Sequence, residues 1–270
     1  SNYPNTMVLR LLSGPGAESD SNQLSTLRRA KEMLQRGYQR LTGYESKSGG
    51  FEWFGADPGH EALTAFGLMQ FYDMAPVHSV DTAMLERTTK WLLGRRNGQG
   101  GFRINPRFLH NWGAPQEVLD AYIVWALTET KEQSVMQQLS VELTHIKALS
   151  EKTQDPYVLA LCAASLANAG INDAADSALS RLMQRRQPDH SLDGRVTVTV
   201  SGGRAKAIET TALAALAWQK RPAFAEAAAQ AVEWIRAQRE GSGAREGAAR
   251  RHPGQVEGGP HRPQTRAARQ

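Results

Sequence analysis

Small and apolar residues recur at helical spacing in four stretches of the chain. Their apolar positions follow the i, i+3, i+4, i+7 periodicity of one face of an α-helix. The four faces are Ala62, Ala65, Phe66 and Met69; Val118, Ala121, Tyr122 and Trp125; Val158, Leu159, Cys162 and Leu166; and Ile208, Thr211, Ala212, Ala215 and Leu216. The pattern predicts four largely buried helices, and each interval between them is long enough for two helices and their loops.

More polar segments alternate with these four stretches. They are amphipathic, carry more charge, and cover residues 21–42, 81–96, 132–150, 172–187 and 222–239. A helix rich in small residues that alternates with a charged amphipathic helix is typical of an inner ring wrapped by an outer ring. With a short first helix near Thr6 to Leu12, the sequence predicts ten helices in an all-α fold, an α/α toroid.

Turn residues interrupt this pattern at consistent places. Gly-Gly-Phe at residues 49–51 and 100–102 precedes the first two of the four apolar helices, where it supplies tight turns with an aromatic anchor. In residues 195–200, three valines alternate with polar residues. That alternation predicts one arm of a short β-hairpin, and it is the only strand signal that we find in the sequence.

The composition changes after residue 240. Residues 241–270 consist mainly of glycine, arginine, alanine and proline, and Val256 is their one large aliphatic residue. Such a segment buries too little apolar surface to repay its ordering entropy. We therefore expect one domain at residues 1–240 and, at residues 241–270, either a disordered basic tail or the product of out-of-frame reading.

The distribution of charge argues against a nucleic-acid partner. The chain carries +5 at pH 7, and residues 241–270 account for +4 of that charge. The body of the chain therefore lacks the clustered Lys and Arg with which proteins neutralise phosphates. No run of 18 apolar residues occurs, so the sequence predicts no membrane-spanning helix and no direct membrane contact.

Cys162 is the single thiol of the chain. One cysteine excludes an internal disulfide and a thiolate-rich metal site. It follows Leu161 on an apolar helical face without a Glu-Gln pair after it, and a free cysteine in such a place is usually a small core residue. The histidines His78, His145 and His190 show no metal-ligand spacing. We therefore expect no metal and no cofactor.

Two groups of polar residues fall near the starts of predicted inner helices. Pairs of carboxylates that face a cavity could act as acid and base in glycoside hydrolysis or elimination. Acidic residues are also favoured at helix N-termini by capping and by the helix dipole, without any catalysis. We favour the capping role for these residues, which are Asp57, His60 and Glu61 in the first group and Glu117 and Asp120 in the second.

An ordered set of short motifs gives the chain a family resemblance. In chain order the motifs are Ser1-Asn2-Tyr3-Pro4-Asn5-Thr6-Met7, Gly37-Tyr38-Gln39-Arg40-Leu41, Gly49-Gly50-Phe51, Leu63-Thr64-Ala65-Phe66, Trp91-Leu92 with Gly98-Gln99-Gly100-Gly101-Phe102, and Asp120-Ala121-Tyr122-Ile123. Over residues 1–240 this set resembles the thioester domain of the α2-macroglobulin and complement family, most of all its bacterial members. The resemblance implies the same α/α toroid, which terpenoid cyclases and prenyltransferases also have.

The resemblance further implies where the reactive group of the family belongs. In the family, an Asn-rich stretch that ends in Met-Val-Leu follows a Cys-x-Glu-Gln motif, whose Cys and Gln side chains close an internal thioester. Here Met7-Val8-Leu9 ends such a stretch and no residue precedes Ser1, so we expect a fragment that lacks the thioester Cys and Gln. We also expect an incomplete toroid without its sixth inner helix, with apolar surface exposed near Met7–Leu12 and Ile208–Trp218.

His110 is our candidate for the residue that governs how the thioester is opened. In the family, the loop before an inner helix carries a His or an Asn in that role. A histidine can attack the thioester to give an acyl-imidazole, and the freed thiolate then assists transfer to a hydroxyl. The alternative is a loop histidine that makes a structural hydrogen bond.

What the resemblance implies is part of a protease trap, and not an enzyme. Cleavage of a bait region elsewhere in the parent protein exposes the thioester, which acylates the attacking protease. The implied partners are the remaining domains of the parent and, through it, the target proteases; the implied location is extracellular or periplasmic. Two alternatives stay open, a carbohydrate- or isoprenoid-processing enzyme on the same toroid and a non-catalytic helical scaffold that binds protein.

Overall fold

A computed structural model describes residues 2–13, 21–105 and 114–249 of the chain. These residues fold into helices, as the periodicity predicts. The helices are α1 (Asn2–Leu12), α2 (Ser21–Thr42), α3 (Glu61–Met74), α4 (Thr82–Gly94), α5 (Gln116–Glu129), α6 (Gln133–Met136), α7 (Ser140–Lys152), α8 (Pro156–Asn168), α9 (Asn172–Met183), α10 (Gly203–Gln219) and α11 (Ala225–Ala249), with a 3-10 helix at Pro222–Phe224.

Helices rich in small residues form the interior of the domain. α3 packs against α5, α5 against α8, and α8 against α10. More polar helices cover this row from outside: α4 lies against α3, α7 and α9 lie against α8, α11 lies against α10, and α2 lies against α1. The chain therefore alternates between an inner and an outer layer, which is the arrangement of an α/α toroid.

Helix α8 shows why the inner helices are so apolar. Every residue from Tyr157 to Leu166 is buried, because α8 is enclosed by α5, α7, α9 and α10. A helix that is apolar on all sides is stable only where neighbours cover all of it. Its start is set by Asp155, whose carboxylate accepts the N–H of Tyr157 at 2.9 Å, and by Pro156 in the first turn.

The prediction of ten helices is wrong by one, since the described residues contain eleven α-helices. The segment at 132–150, predicted as one helix, is divided into α6 and α7. Leu139 lies between them with φ −98° and ψ 15°, outside helical geometry, and its side chain is fully buried. The turn allows both Val135 and Leu139 to reach the core, a requirement that comes from the neighbouring helices.

The prediction of a hairpin arm at residues 195–200 is also wrong. The N–H of Val198 donates to Tyr157 Oη at 3.2 Å, and Thr197 Oγ1 accepts the N–H of Ser201 at 3.1 Å. Val200 has φ +54°, which interrupts an extended chain. Because side chains satisfy these backbone groups, this segment needs no partner strand; Val198 is buried against the core instead.

Helix α11 continues past the expected domain boundary at residue 240 and ends at Ala249. The expected boundary at residue 240 therefore lies within this helix, and residues 241–249 belong to α11. Residues 250–270 lie outside the described residues, and their disorder stays a prediction. No helix in the described part of the chain is both long and apolar enough to cross a bilayer.

Large apolar side chains are exposed on α1 and α10, and also on other helices, such as Leu24 on α2 and Phe66 on α3. Met7 and Leu11 on α1 are 38% and 77% exposed, and Leu216 on α10 is 46% exposed. Exposed apolar residues are common on protein surfaces, so these exposures do not distinguish α1 and α10, and the missing sixth inner helix stays a prediction.

Candidate functional site

Three loops that lead into inner helices share one construction. In each, a backbone N–H donates to the carbonyl oxygen four residues later: Ser46 to Gly50 at 2.8 Å, Asn97 to Gly101 at 2.9 Å, and Gln187 to Ser191 at 2.9 Å. Gly-Gly-Phe predicts the first two loops. No local signal predicts the third loop, because it contains no glycine and His190 itself adopts φ +71°.

The residue after each loop is buried and donates its N–H to a side chain of the following inner helix. Phe51 donates to Thr64 Oγ1 at 2.8 Å and Phe102 to Asp120 Oδ1 at 2.8 Å. Leu192 donates to Thr211 Oγ1 at 2.9 Å. These bonds satisfy buried backbone donors and fix the three loops on the inner helices.

Glu61 is fully buried in the first turn of α3. Its Oε1 accepts from Arg95 Nε at 2.7 Å, and its Oε2 accepts the N–H of Asn105 at 3.2 Å. The Arg95 guanidinium also donates to the carbonyl oxygen of Arg103 at 3.0 Å and lies 5.8 Å from the centre of the Trp91 ring. The ion pair therefore ties α3 to the end of α4 and to the loop that follows α4.

His60 caps α3, in agreement with the capping role that we favoured. Its Nδ1 accepts the N–H groups of Ala62 at 3.2 Å and Leu63 at 3.4 Å. Burial disfavours the imidazolium and lowers the pKa of His60 from its ordinary value of 6.5 to about 4. The imidazole is therefore neutral at pH 7, which suits a ring nitrogen that must accept hydrogen bonds.

Acid should destabilise the domain through His60. The pKa of His60 is lower in the folded state than in the unfolded state, so neutral His60 contributes its full share of folding stability above pH 6.5. That stability is lost as the pH falls from 6.5 to about 4, and the loss is about 3 kcal/mol in total. Urea unfolding across this range should show less acid loss in His60→Asn, since asparagine keeps the capping acceptor and does not titrate. Equal pH profiles for the two proteins would contradict this assignment.

The two groups of candidate acid–base residues are not arranged as an open catalytic pair. Asp57 Oδ1 accepts from the N–H and the hydroxyl of Ser48, at 3.0 and 2.7 Å, and these bonds lower the pKa of Asp57. Asp120 is buried, which raises its pKa, although it accepts from Phe102 N–H and from Gln116 Nε2 at 2.9 Å. Glu117 is exposed on α5. Asp57 and Asp120 thus hold loops and not helix ends.

Cys162 lies on α8 with no exposed surface, among core residues. Burial raises the pKa of its thiol, so the reactive thiolate is strongly disfavoured. Among the described residues, no three His, Cys, Asp or Glu side chains are grouped in a way that would hold a metal ion. The placement of Cys162 agrees with its interpretation as a small core residue.

His110 lies outside the described residues, in the interval 106–113. The chain enters this interval after Asn105, whose N–H is bound by Glu61, and leaves it at Ala114, shortly before α5. Described residues on either side of the interval are in contact, because Gln116 Nε2 donates to the carbonyl oxygen of Phe102 at 2.9 Å. The role of His110 stays a prediction.

A comparison of the whole chain with protein families decides its membership. The sequence model of the A-macroglobulin TED domain, the thioester domain, matches residues 2–247. The chain belongs to the A-macroglobulin TED-domain family. The resemblance recognised from the short motifs is thereby confirmed, and the match includes part of the sequence that we had assigned to a tail.

A curated relative of this TED domain is considerably longer. Thioester-containing protein 1 allele S1 of Anopheles gambiae is 24% identical over 222 residues, which cover 80% of this chain. The aligned region is 16% of the relative. A TED domain of this length therefore matches a small part of a large protein.

Proposed function

We propose that this TED domain is the thioester-bearing domain of a macroglobulin-type protein that captures proteases covalently outside the cell. The single observation that carries the proposal is the family match over residues 2–247. The curated relative is itself named a thioester-containing protein, which supports the same chemistry. The remaining domains of the parent protein are the proposed constant partners, and proteases that cleave it are the proposed targets.

The proposed reaction is an acyl transfer from an internal thioester. We place the thioester in a Cys-x-Glu-Gln motif ahead of the Asn-rich stretch that forms α1. A nucleophilic amine or hydroxyl of the protease attacks the thioester carbonyl carbon, and a C–N or C–O bond forms. The C–S bond breaks, and the cysteine sulfur leaves with the electron pair and takes up the proton of the nucleophile.

This proposal predicts that the chain of 270 residues forms no covalent adduct by itself. Cys162 has no exposed surface and burial raises its pKa, so it is a poor nucleophile. After incubation with methylamine, the mass should stay unchanged, and a labelled protease should not become attached. Cys162→Ser is the matched control for any reaction of the thiol; an adduct in either experiment would contradict the prediction.

His110 should decide which nucleophile the thioester prefers. In the proposed mechanism its imidazole attacks the thioester to give an acyl-imidazole, and the released thiolate removes the proton of an incoming hydroxyl, which takes the acyl group and regenerates the imidazole. In a parent protein that contains the thioester, His110→Asn should lower glycerol incorporation relative to methylamine by about a hundredfold. Asn111→Ala is the neighbouring control. If His110→Asn leaves the ratio unchanged, His110 does not have this role.

The enzyme alternative has less support than the acyl-transfer proposal. Glycoside hydrolysis or elimination needs two carboxyl groups free to act on one substrate. In the described part of the chain, the carboxylates that we considered are bound to Arg95, to Ser48, or to the backbone of a loop, with the exception of Glu117. We therefore favour covalent acylation of a protease over glycoside hydrolysis or elimination.

A further inference from the structure

One carboxylate holds helix α1 from two sides. Tyr3 Oη donates to Asp73 Oδ2, and Arg10 Nη1 lies 3.2 Å from Asp73 Oδ1. Tyr3 and Arg10 are seven residues apart, so they lie on the same face of α1, two turns from each other. Asp73 is the penultimate residue of α3. We call these three residues the α1 clamp.

Apolar packing fixes α1 less completely than it fixes the other inner helices. Thr6 and Leu9 are buried, and Asn2 is buried against Gly37 of α2, where there is no room for a Cβ atom. In contrast, Met7 and Leu11 are exposed. In α8 every residue from Tyr157 to Leu166 is buried. The position of α1 relative to α3 therefore depends more on polar contacts than the position of α8 does.

We expect the α1 clamp to determine the position of α1 and to contribute little to the stability of the whole domain. The side chains of Arg10 and Asp73 are 46% and 33% exposed, so solvent weakens their ion pair. The bond from Tyr3 is charge-assisted and therefore stronger. Burial and the adjacent carboxylate raise the pKa of Tyr3, so its hydroxyl stays protonated and remains a donor. Loss of the clamp should free α1 while the better-packed helices stay folded.

We propose that Asp73 is a positioning residue that sets the reactivity of the thioester by fixing α1. This inference rests on the proposed function, which places Cys-x-Glu-Gln directly before the stretch that forms α1. Acyl transfer is sensitive to small displacements of the reacting group, so a helix that moves on α3 would move the thioester with it. Asp73 touches neither the thioester nor the nucleophile; it acts through Tyr3 and Arg10.

The first test measures hydrogen exchange in the 270-residue chain and does not depend on the proposed function. In Asp73→Ala, amides of α1 should exchange about tenfold faster, as expected for the loss of hydrogen bonds to a charged acceptor, while α8 stays unchanged. Asp176→Ala is the matched control, since it removes a similarly exposed carboxylate bound to Arg221 and should leave α1 unchanged. Tyr3→Phe removes one hydroxyl only, so it keeps the test decisive if Asp73→Ala does not fold.

The second test measures thioester loss in the parent protein that contains the thioester. With methylamine as the nucleophile, Asp73→Ala and Tyr3→Phe should each change the rate of cysteine thiol release by about threefold or more relative to wild type, and Asp176→Ala should not. If wild type itself incorporates no methylamine, the proposed function fails. If wild type reacts and the clamp variants react at the same rate, or if α1 and α8 exchange faster by the same factor, the role of Asp73 is refuted.

Discussion

Glu61→Gln should lower the free energy of unfolding by about 3 kcal/mol or more, because it leaves Arg95 without its buried partner. The Glu61 side chain has no exposed surface, whereas that of Arg95 is 29% exposed, so only part of the orphaned charge can be solvated. Glutamine keeps an oxygen that can accept the N–H of Asn105, which limits the loss to the ion pair. Urea unfolding at pH 7 with wild type as reference measures the difference.

Glu45→Gln is the matched control for Glu61→Gln. Glu45 binds Arg87 through two bonds of 3.1 Å, yet the Arg87 side chain is 53% exposed. Solvent replaces much of that interaction, so the control should lose much less stability. Equal losses in the two variants would show that burial of Glu61 does not determine its contribution.

Gly50→Ala should cost about 3 kcal/mol, because two effects add at this position. Gly50 has φ +77°, which is unfavourable for a residue with a Cβ atom. An added Cβ would also lie 2.8 Å from ring atoms of Trp91, a rigid side chain that cannot move aside cheaply. Thermal or urea unfolding of the variant measures the total.

Gly98→Ala separates backbone strain from steric overlap. Gly98 has a similar φ of +81°, but a Cβ there would meet nothing within 4 Å. Its substitution should therefore cost only the backbone term, about 1 kcal/mol. If Gly50→Ala is no more destabilising than Gly98→Ala, the contact with Trp91 does not constrain this turn.

Both variants change features that the sequence reveals to different degrees. Gly-Gly-Phe predicts a tight turn because glycine adopts positive φ and phenylalanine needs a core position, and both expectations hold at Gly50 and Phe51. The contact of the Trp91 ring with that turn cannot be predicted from the local sequence, since 41 positions separate Trp91 from Gly50. The same limit applies to the third loop, where His190 takes the left-handed conformation without any glycine signal.

In the candidate site, too, some features could be predicted from the local sequence and others could not. The apolar surroundings of Cys162 in the sequence were enough to place it in the core, because a helix that is apolar all round must be buried. For Asp57 and Asp120 we favoured capping, which is wrong, because the structure shows that they bind loop residues Ser48 and Phe102. Which donors surround a carboxylate depends on how helices and loops meet.

The sequence by itself determined the all-α fold, the alternation of inner and outer helices, and the family, since these follow from periodicity and from short motifs in order. Only the tertiary structure decided that α6 and α7 are separate, that residues 195–200 form no strand, and that Glu61 pairs with Arg95. It also decided that Asp73 joins α1 to α3. Each of these depends on residues that are distant in the chain and meet only after folding, so no local pattern contains them.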